Sequence, residues 1–533
     1  MGATQAYDAV IVGAGFSGLY MLHRLRRLGV SARVFEAGAD VGGTWYWNRY
    51  PGARVDIESQ EYSYSFSPEL DAEWAWSERY AAQPELLAYL NHVADRFDLR
   101  GDIQLGARVT AAVYDEAARR WTVATDRGEN VSARYCIMAT GCLSAPKEGE
   151  LPGAETFRGP SWHTGRWPPE GVDFTGKTVA VIGTGSSAIQ AIPQIAAQAN
   201  HVTVFQRTPN FSVPAHNGPV DPAVVADWAA NRARYRKEAR DTGFGIRAVA
   251  QSDKPALAAT HAERQEAYEA RWAYGGFALL GAFSDLLADP APNATAAEFV
   301  REKIRGIVSD PQVAEKLAPK SFPIGAKRMC VDTGYYATFN RDNVSLVDLT
   351  EEPIETITPA GVRTAPREYA VDAIVYAVGF DAMTGALDRI DIRGRGGASL
   401  KARWAAGPRT YLGLMVAGFP NLFLVTGPGS PSVLCNMAVA IEQHVEWISD
   451  CIAWAGERQA ASVEATEAAQ DDWVAHVNEV AEGTVFPLAN SWYIGANVPG
   501  KPRVFMPYIG GFAVYRDKCN DVAAKGYEGF VVA

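Results

Sequence analysis

Two glycine-rich turns carry residue types at a spacing that can do chemistry. Gly13-Ala-Gly15-Phe-Ser17-Gly18 and Gly183-Thr184-Gly185-Ser186-Ser187-Ala188 both follow the pattern GxGxx(G/A). Such a turn needs glycine so that the chain can bend tightly and bring main-chain N–H groups against a pyrophosphate. The residue about twenty positions further on distinguishes the two copies. After the first copy it is Glu36, a carboxylate able to accept both ribose hydroxyls, which suits FAD or NAD. After the second it is Gln206, followed by Arg207. An arginine there matches a 2′-phosphate in charge and fork geometry, so the second site should prefer NADPH.

The surrounding patterns supply the elements that would position these turns. Tyr7 to Val12 reads as a strand, Ser17 to Leu28 as a helix with Leu19, Leu22, Leu25 and Leu28 on one face, and Ala32 to Phe35 as a second strand. The unit recurs as a strand over Lys177 to Ile182, a helix ending near Ala199 with Pro193 expected to kink it, and a strand over His201 to Phe205. The apolar runs Arg134 to Gly141 and Ala373 to Phe380 carry a glycine at or next to their ends, as strands do where backbone must approach a cofactor. The fold class is therefore α/β, with two Rossmann-like dinucleotide-binding domains and a helical insertion. The boundaries read as 1–142 with 380–533 for FAD, 143–222 with 323–379 and proline-rich linkers for NADP, and 223–322 for the insertion.

Other patterns are excluded. Gly171 to Thr178 matches GxxxxGK[ST], but it leads into a strand, whereas a P-loop must leave one and open a helix. Cys136 and Cys142 lack the spacing of a redox dithiol. The eight histidines and six cysteines form no metal-binding pattern. A net charge of −11 over 533 residues argues against nucleic-acid binding. No apolar run reaches membrane-spanning length and no secretory signal is read, so a cytoplasmic protein with reduced thiols is expected.

A more specific pattern lies between the two units. Phe157-Arg-Gly159-Pro-Ser-Trp-His163-Thr-Gly-Arg-Trp167-Pro168 has the form FxGxxxHxxxWP. It is similar to the fingerprint of type I Baeyer–Villiger monooxygenases. Gly42-Gly-Thr44-Trp45-Tyr46-Trp47-Asn-Arg-Tyr50-Pro51-Gly52-Ala-Arg54-Val55-Asp56 resembles a second motif of that family. The resemblance covers essentially the whole chain and is nearest to the phenylacetone and steroid monooxygenase branch. Thr44 departs from it, since relatives more often carry Val there.

The resemblance implies an enzyme in which NADPH reduces FAD and dioxygen adds to form a C4a-peroxide. That peroxide attacks a ketone, and the resulting tetrahedral adduct yields an ester or lactone. It places the fixed cation on Arg328 and an orienting acid on Asp56. It assigns FAD contacts to Gly13, Gly15, Ser17, Gly18, Glu36, Thr44 to Trp47, Asp56, Tyr62, Val109 and Met437. NADP contacts fall on Gly183 to Gln190, including Ile189, on Arg54, Val55 and Asp56, and on Arg207, Thr208 and Lys327 at the 2′-phosphate. Trp492 would touch the nicotinamide and the pocket, which is expected to be shaped by 427–437, Trp492 and Phe505 to Tyr508. His163 is expected on a linker that couples domain motion. Read alone, Asp56 before Ile57-Glu58-Ser59 would also suit a helix cap. The expected partners are a small ketone and dioxygen, with a monomer or weak homo-oligomer. A heteroatom oxygenase and a non-catalytic NADPH-binding protein are the alternatives.

Overall fold

The computed structural model describes residues 5–147, 151–249 and 252–533. Part of the proline-rich joint 145–160 therefore lies outside the described residues.

In the first unit, β1 (Gln5–Val12) runs into α1 (Phe16–Arg27) and returns as β2 (Ala32–Phe35). β1 pairs in parallel with β2 on one side and with β3 (Asn130–Met138) on the other. This trio sits inside an eight-stranded sheet, in which Leu422–Leu424 also pairs with β3. Leu19, Leu22 and Leu25 are fully buried against the sheet, as the helical spacing requires. Leu28 lies past the helix end and is exposed.

The second unit repeats the device. Its strands are β4 (Ser161–His163), β5 (Thr178–Ile182), β6 (His201–Gln206), β7 (Val344–Asp348) and β8 (Ala373–Tyr376), with α2 (Ser186–Gln198) between β5 and β6. All pair in parallel, in the order β7-β6-β5-β8-β4. α2 runs as one helix with Pro193 inside it, as the sequence placed it. His163, expected on a linker, ends the edge strand β4 beside β8. The segment 171–178 runs into β5 and opens no helix, which removes the P-loop reading on topology.

Between the two halves of the second unit lie four helices: α3 (Pro222–Arg240), α4 (His261–Tyr274), α5 (Pro290–Ile307) and α6 (Pro311–Leu317). Three start on an Asp-Pro pair. The Asp221, Asp289 and Asp310 carboxylates accept from the first-turn amides, and proline occupies a position whose N–H would be unpaired anyway. α4 starts on a Thr260–Glu263 capping box. No described helix is long and apolar enough to cross a membrane.

Candidate active site

The two glycine turns superimpose in their chemistry. The Gly13 N–H donates to the Phe35 carbonyl at 2.8 Å, and the Gly183 N–H to the Phe205 carbonyl at 3.0 Å. Gly13 has φ +106° and Gly183 φ +112°. A Cβ at either would sit 2.6 or 2.5 Å from the carbonyl of Ala139 or Ala377, so only glycine fits. Gly15 and Gly185 cap α1 and α2, and neither helix has an acidic residue in its first turn. Neither helix end is thus neutralised by an anion of its own first turn. A Cβ at Gly185 would meet nothing within 4 Å, which leaves the open cradle that a pyrophosphate needs. Ser17 is buried in the first turn of α1. Ser186 and Ser187 begin α2, and the Thr184 hydroxyl donates to the Thr208 carbonyl at 2.9 Å. Ala188 and Ile189 turn into the core, so only main chain is available to a ligand at those two positions.

Glu36 lies just past β2, almost fully buried. Burial pushes its carboxyl up, and the Ala14 and Gly38 N–H groups, at 2.8 and 2.7 Å, pull the other way. Each carboxylate oxygen keeps a further lone pair for a ribose hydroxyl, so the residues fit FAD. Val109 packs with Phe35 in the core beneath this corner. At the matching point of the second unit Gln206 is buried, and its Oε1 finds no hydrogen-bond partner. The exposed Arg207 follows. Burial lowers the Lys327 pKa and repulsion from Arg207 lowers it further, so the two cations converge. Lys147 joins them: burial lowers its pKa, and Arg207 again contributes. A cluster of like charges of this kind fits the 2′-phosphate of NADP. Sequence reasoning misses Lys147, which stands there as an isolated lysine.

The Gly42-to-Asp56 segment joins the two units. Gly42 (φ +128°) and Gly43 (φ +51°) lead into a single helical turn, Thr44–Trp47, with Thr44 exposed and Trp45 buried. Trp45 meets Tyr62 edge to face at 5.9 Å, and Tyr62 meets Phe16 of α1 at 5.3 Å. Gly52 (φ +82°) lies where a Cβ would be 2.3 Å from the Gln190 carbonyl, which explains the glycine of the Tyr-Pro-Gly run. Tyr50 donates to Gln190 Oε1 at 2.8 Å, and Gln190 Nε2 donates to the Arg54 carbonyl at 3.1 Å. Arg54 is held by Glu78 at 2.7 Å. The buried Val55 donates its N–H to Ala81 at 3.1 Å and fixes the approach of its neighbour Asp56.

Asp56 caps no helix. It receives Arg328 Nε at 3.0 Å and Nη2 at 2.8 Å to each oxygen, across 272 positions of chain. Arg328 Nη1 donates to the Val433 carbonyl at 2.6 Å, and the guanidinium lies 4.8 Å from the Phe277 ring centre. Arg328 is placed by the strand Cys330–Asp332, which pairs in parallel with Ser212–Pro214. Burial acts to lower the Arg328 pKa, but the Asp56 carboxylate more than offsets it and the net shift is upward. Arg328 therefore remains a cation throughout the working range of pH.

Arg328 faces a small cavity of about 40 Å³. The walls are Phe244, Ile246, Val249, Phe277, Leu280 and Leu287 from the insertion region, with Met329, Leu434, Cys435, Phe486 and Tyr493. The 434–435 part of the expected pocket loop lines this cavity. Trp492 and Phe505 to Tyr508 do not. Trp492 is half-buried beside Tyr493, and Phe505 packs behind it. Met437 begins α7 (Met437–Glu457) just beyond Cys435. The wall and the loop are tied together by hydrogen bonds that each involve main chain. Asn436 N–H donates to the Phe244 carbonyl at 2.8 Å, and its Nδ2 donates to the Glu61 carbonyl at 2.7 Å. The Arg247 N–H donates to the Glu61 carboxyl at 3.1 Å. Burial pushes the Glu61 carboxyl up to about 7. All six cysteines are buried and free, and burial pushes the Cys136 thiol up to about 12, so it is no redox centre.

Comparison with known proteins agrees with this geometry. The family described as pyridine nucleotide-disulphide oxidoreductase matches residues 10–268. A Baeyer–Villiger monooxygenase of Pseudooceanicola batsensis is 43% identical over 531 residues, covering 98% of this chain and 96% of that protein. A solved oxidised steroid monooxygenase bound to NADP is 55% identical with a TM-score of 0.95, covering 99% of each chain. A solved OTEMO complex with FAD and NADP is 41% identical with a TM-score of 0.96, covering 99% of this chain and 100% of that one. With its paired dinucleotide sites and its fingerprint between them, this chain belongs to the type I Baeyer–Villiger monooxygenases, NADPH-dependent enzymes that use FAD.

Proposed function

We propose that this enzyme inserts one oxygen atom beside the carbonyl of an uncharged, apolar ketone held in the cavity at Arg328, giving an ester or lactone. The observation that carries this reading is a cation held on Asp56 and facing a cavity whose walls are otherwise mostly hydrocarbon and aromatic. A cationic substrate would have to leave its hydration in such a site with only the like charge of Arg328 to meet it, whereas a neutral ketone loses little.

When bound, FAD reduced by NADPH supplies the activation of dioxygen. The chain supplies the environment. Arg328 holds positive charge where an oxygen nucleophile and then the carbonyl oxygen carry negative charge, and the low dielectric of the walls strengthens that interaction. Asp56 fixes the plane and position of the guanidinium through Nε and Nη2. The apolar walls exclude water that would otherwise solvate the nucleophile. Gly13, Gly15, Ser17, Gly18, Glu36, Thr44 to Trp47, Tyr62, Val109 and Met437 are the residues proposed to hold FAD. Gly183 to Gln190, Arg54, Arg207, Thr208, Lys327 and Trp492 are proposed to hold NADP. The division at 142/143, 222/223, 322/323 and 379/380 is proposed on the same basis. The six free thiols support work in a reducing, cytoplasmic compartment.

The test is Arg328→Ala. The variant should bind FAD and be reduced by NADPH as the parent is, yet form no ester from any ketone the parent converts. Ester formation at the parental rate would overturn the assignment.

A further inference from the structure

The cavity offers a bound carbonyl a second polar side chain besides Arg328. Tyr493 lies in a short turn, Trp492–Ile494, and is 2% exposed. Its ring is fixed by Trp492 at 4.3 Å, Phe486 at 5.8 Å and Phe505 at 6.4 Å. Its own carbonyl accepts from the Met506 N–H at 2.9 Å, so main chain and side chain are both constrained. It lines the cavity together with Arg328, whose positive charge acts on its phenol.

The placement beside Arg328 matters: a phenol next to a fixed cation has its O–H polarised toward donating. Burial pushes the phenol above its usual value, so the proton stays in place at working pH. Arg328, meanwhile, directs Nε and Nη2 to Asp56 and Nη1 to Val433, so much of its donor fork is already engaged. The Cys435 thiol, also on the wall, faces main-chain carbonyls of Ser432 and Asn436.

We propose that the Tyr493 hydroxyl donates a hydrogen bond to the carbonyl oxygen of the bound ketone and, with Arg328, forms the pair of groups that stabilises the charge developing there. This rests on the ketone reading above. No proton is transferred. The carbonyl π pair moves onto oxygen as the oxidant's terminal oxygen bonds to the carbonyl carbon, and the Tyr493 hydrogen bond strengthens; it relaxes when the pair returns to form the ester carbonyl, as a neighbouring carbon migrates to that inserted oxygen and the O–O bond breaks, its electron pair leaving on the other oxygen. Removing one such donor costs about a hundredfold in rate in comparable sites.

The experiment compares Tyr493→Phe with the parent, as FAD-loaded full-length enzyme, on an aryl alkyl ketone and on the matching aryl alkyl sulfide. The sulfide presents the same shape without a carbonyl oxygen. Phenylalanine keeps the ring and its packing. The expected result is a loss of about a hundredfold in kcat/KM for the ketone. Sulfide oxygenation and NADPH-driven flavin reduction should stay near parental rates. A second readout needs no turnover: the carbonyl stretch of a ¹³C-labelled ketone bound to the oxidised enzyme with NADP should shift upward in the variant as one donor is lost. Parental ketone kcat/KM in the variant, equal losses on ketone and sulfide, or an unmoved carbonyl stretch would each overturn the assignment. A parent enzyme that oxygenates the sulfide but makes no ester from any ketone would fell the ketone reading, and this assignment with it.

Discussion

Replacing Asp56 by Asn tests how far the reaction depends on the placement of Arg328 and not merely on its presence. Asp56 receives three contacts from Arg328, at 2.8, 2.8 and 3.0 Å. Asparagine keeps the shape but offers one acceptor oxygen, and it turns an NH₂ group toward a guanidinium that can only donate. At least one charge-assisted hydrogen bond is lost, worth about 1.5 to 3 kcal/mol in a buried setting. The two side chains are 24% and 21% exposed, so solvent screens part of that and about 2 kcal/mol is the reasonable figure. If that energy holds the guanidinium in place, its loss slows the oxygen-insertion step by about thirtyfold. The assay is ester formed per NADPH consumed, with flavin reduction followed separately by stopped-flow absorbance. Asp56→Asn should reduce flavin at the parental rate, convert more NADPH to hydrogen peroxide and yield ester about thirtyfold more slowly. Parental ester turnover with normal coupling would show that the Asp56–Arg328 geometry does not limit the reaction.

Two further outcomes follow from the charges at the nucleotide site and behind the cavity wall. Arg207→Ala should weaken NADPH binding by about tenfold while leaving NADH binding unchanged, because only the former carries the phosphate; equal losses for both nucleotides would sink the role. Glu61 should make stability fall with rising pH. Its carboxyl ionises near 4.5 when unfolded and near 7 when folded, so between those values the unfolded chain releases a proton that the folded chain keeps. Stability contributed below pH 4.5 is lost progressively up to about pH 7, by about 3 kcal/mol in all, and is flat above. Thermal melts of Glu61→Gln should lack that slope, and an unchanged slope would refute the assignment.

What the sequence makes legible is what main-chain geometry demands. Gly13 and Gly183 need positive φ beside a carbonyl, so their glycines stand out in any reading of the chain. Glu36 and Arg207 follow because a carboxylate and a guanidinium answer different ribose substituents. The Asp-Pro starts of the insertion helices are equally local. The ion pair at the centre of the site is not local: Asp56 and Arg328 lie 272 positions apart, and only the family resemblance joins them. The cavity walls are less legible still. Phe244, Phe277 and Phe486 look like any core aromatic in the sequence, and nothing local marks Tyr493 rather than Trp492 as the residue that turns inward. Lys147 is invisible for the same reason, since its meaning comes from Arg207, distant in the chain and close in space.

The hydrogen bonds among Asn436, Phe244, Glu61 and Arg247 have a consequence for how such an enzyme can diversify. They fasten the cavity wall to Glu61 and to the loop before α7 without using a side chain of the wall itself: Phe244 is held by its carbonyl, and Ile246, Val249 and Leu280 stand clear of the ties. Exchanging those side chains would reshape the space offered to a substrate without loosening the frame that keeps Arg328 and Asp56 in register. The molecule thus separates a fixed engine from an interchangeable mould, and laboratory or natural selection for new ketones can act on the mould alone.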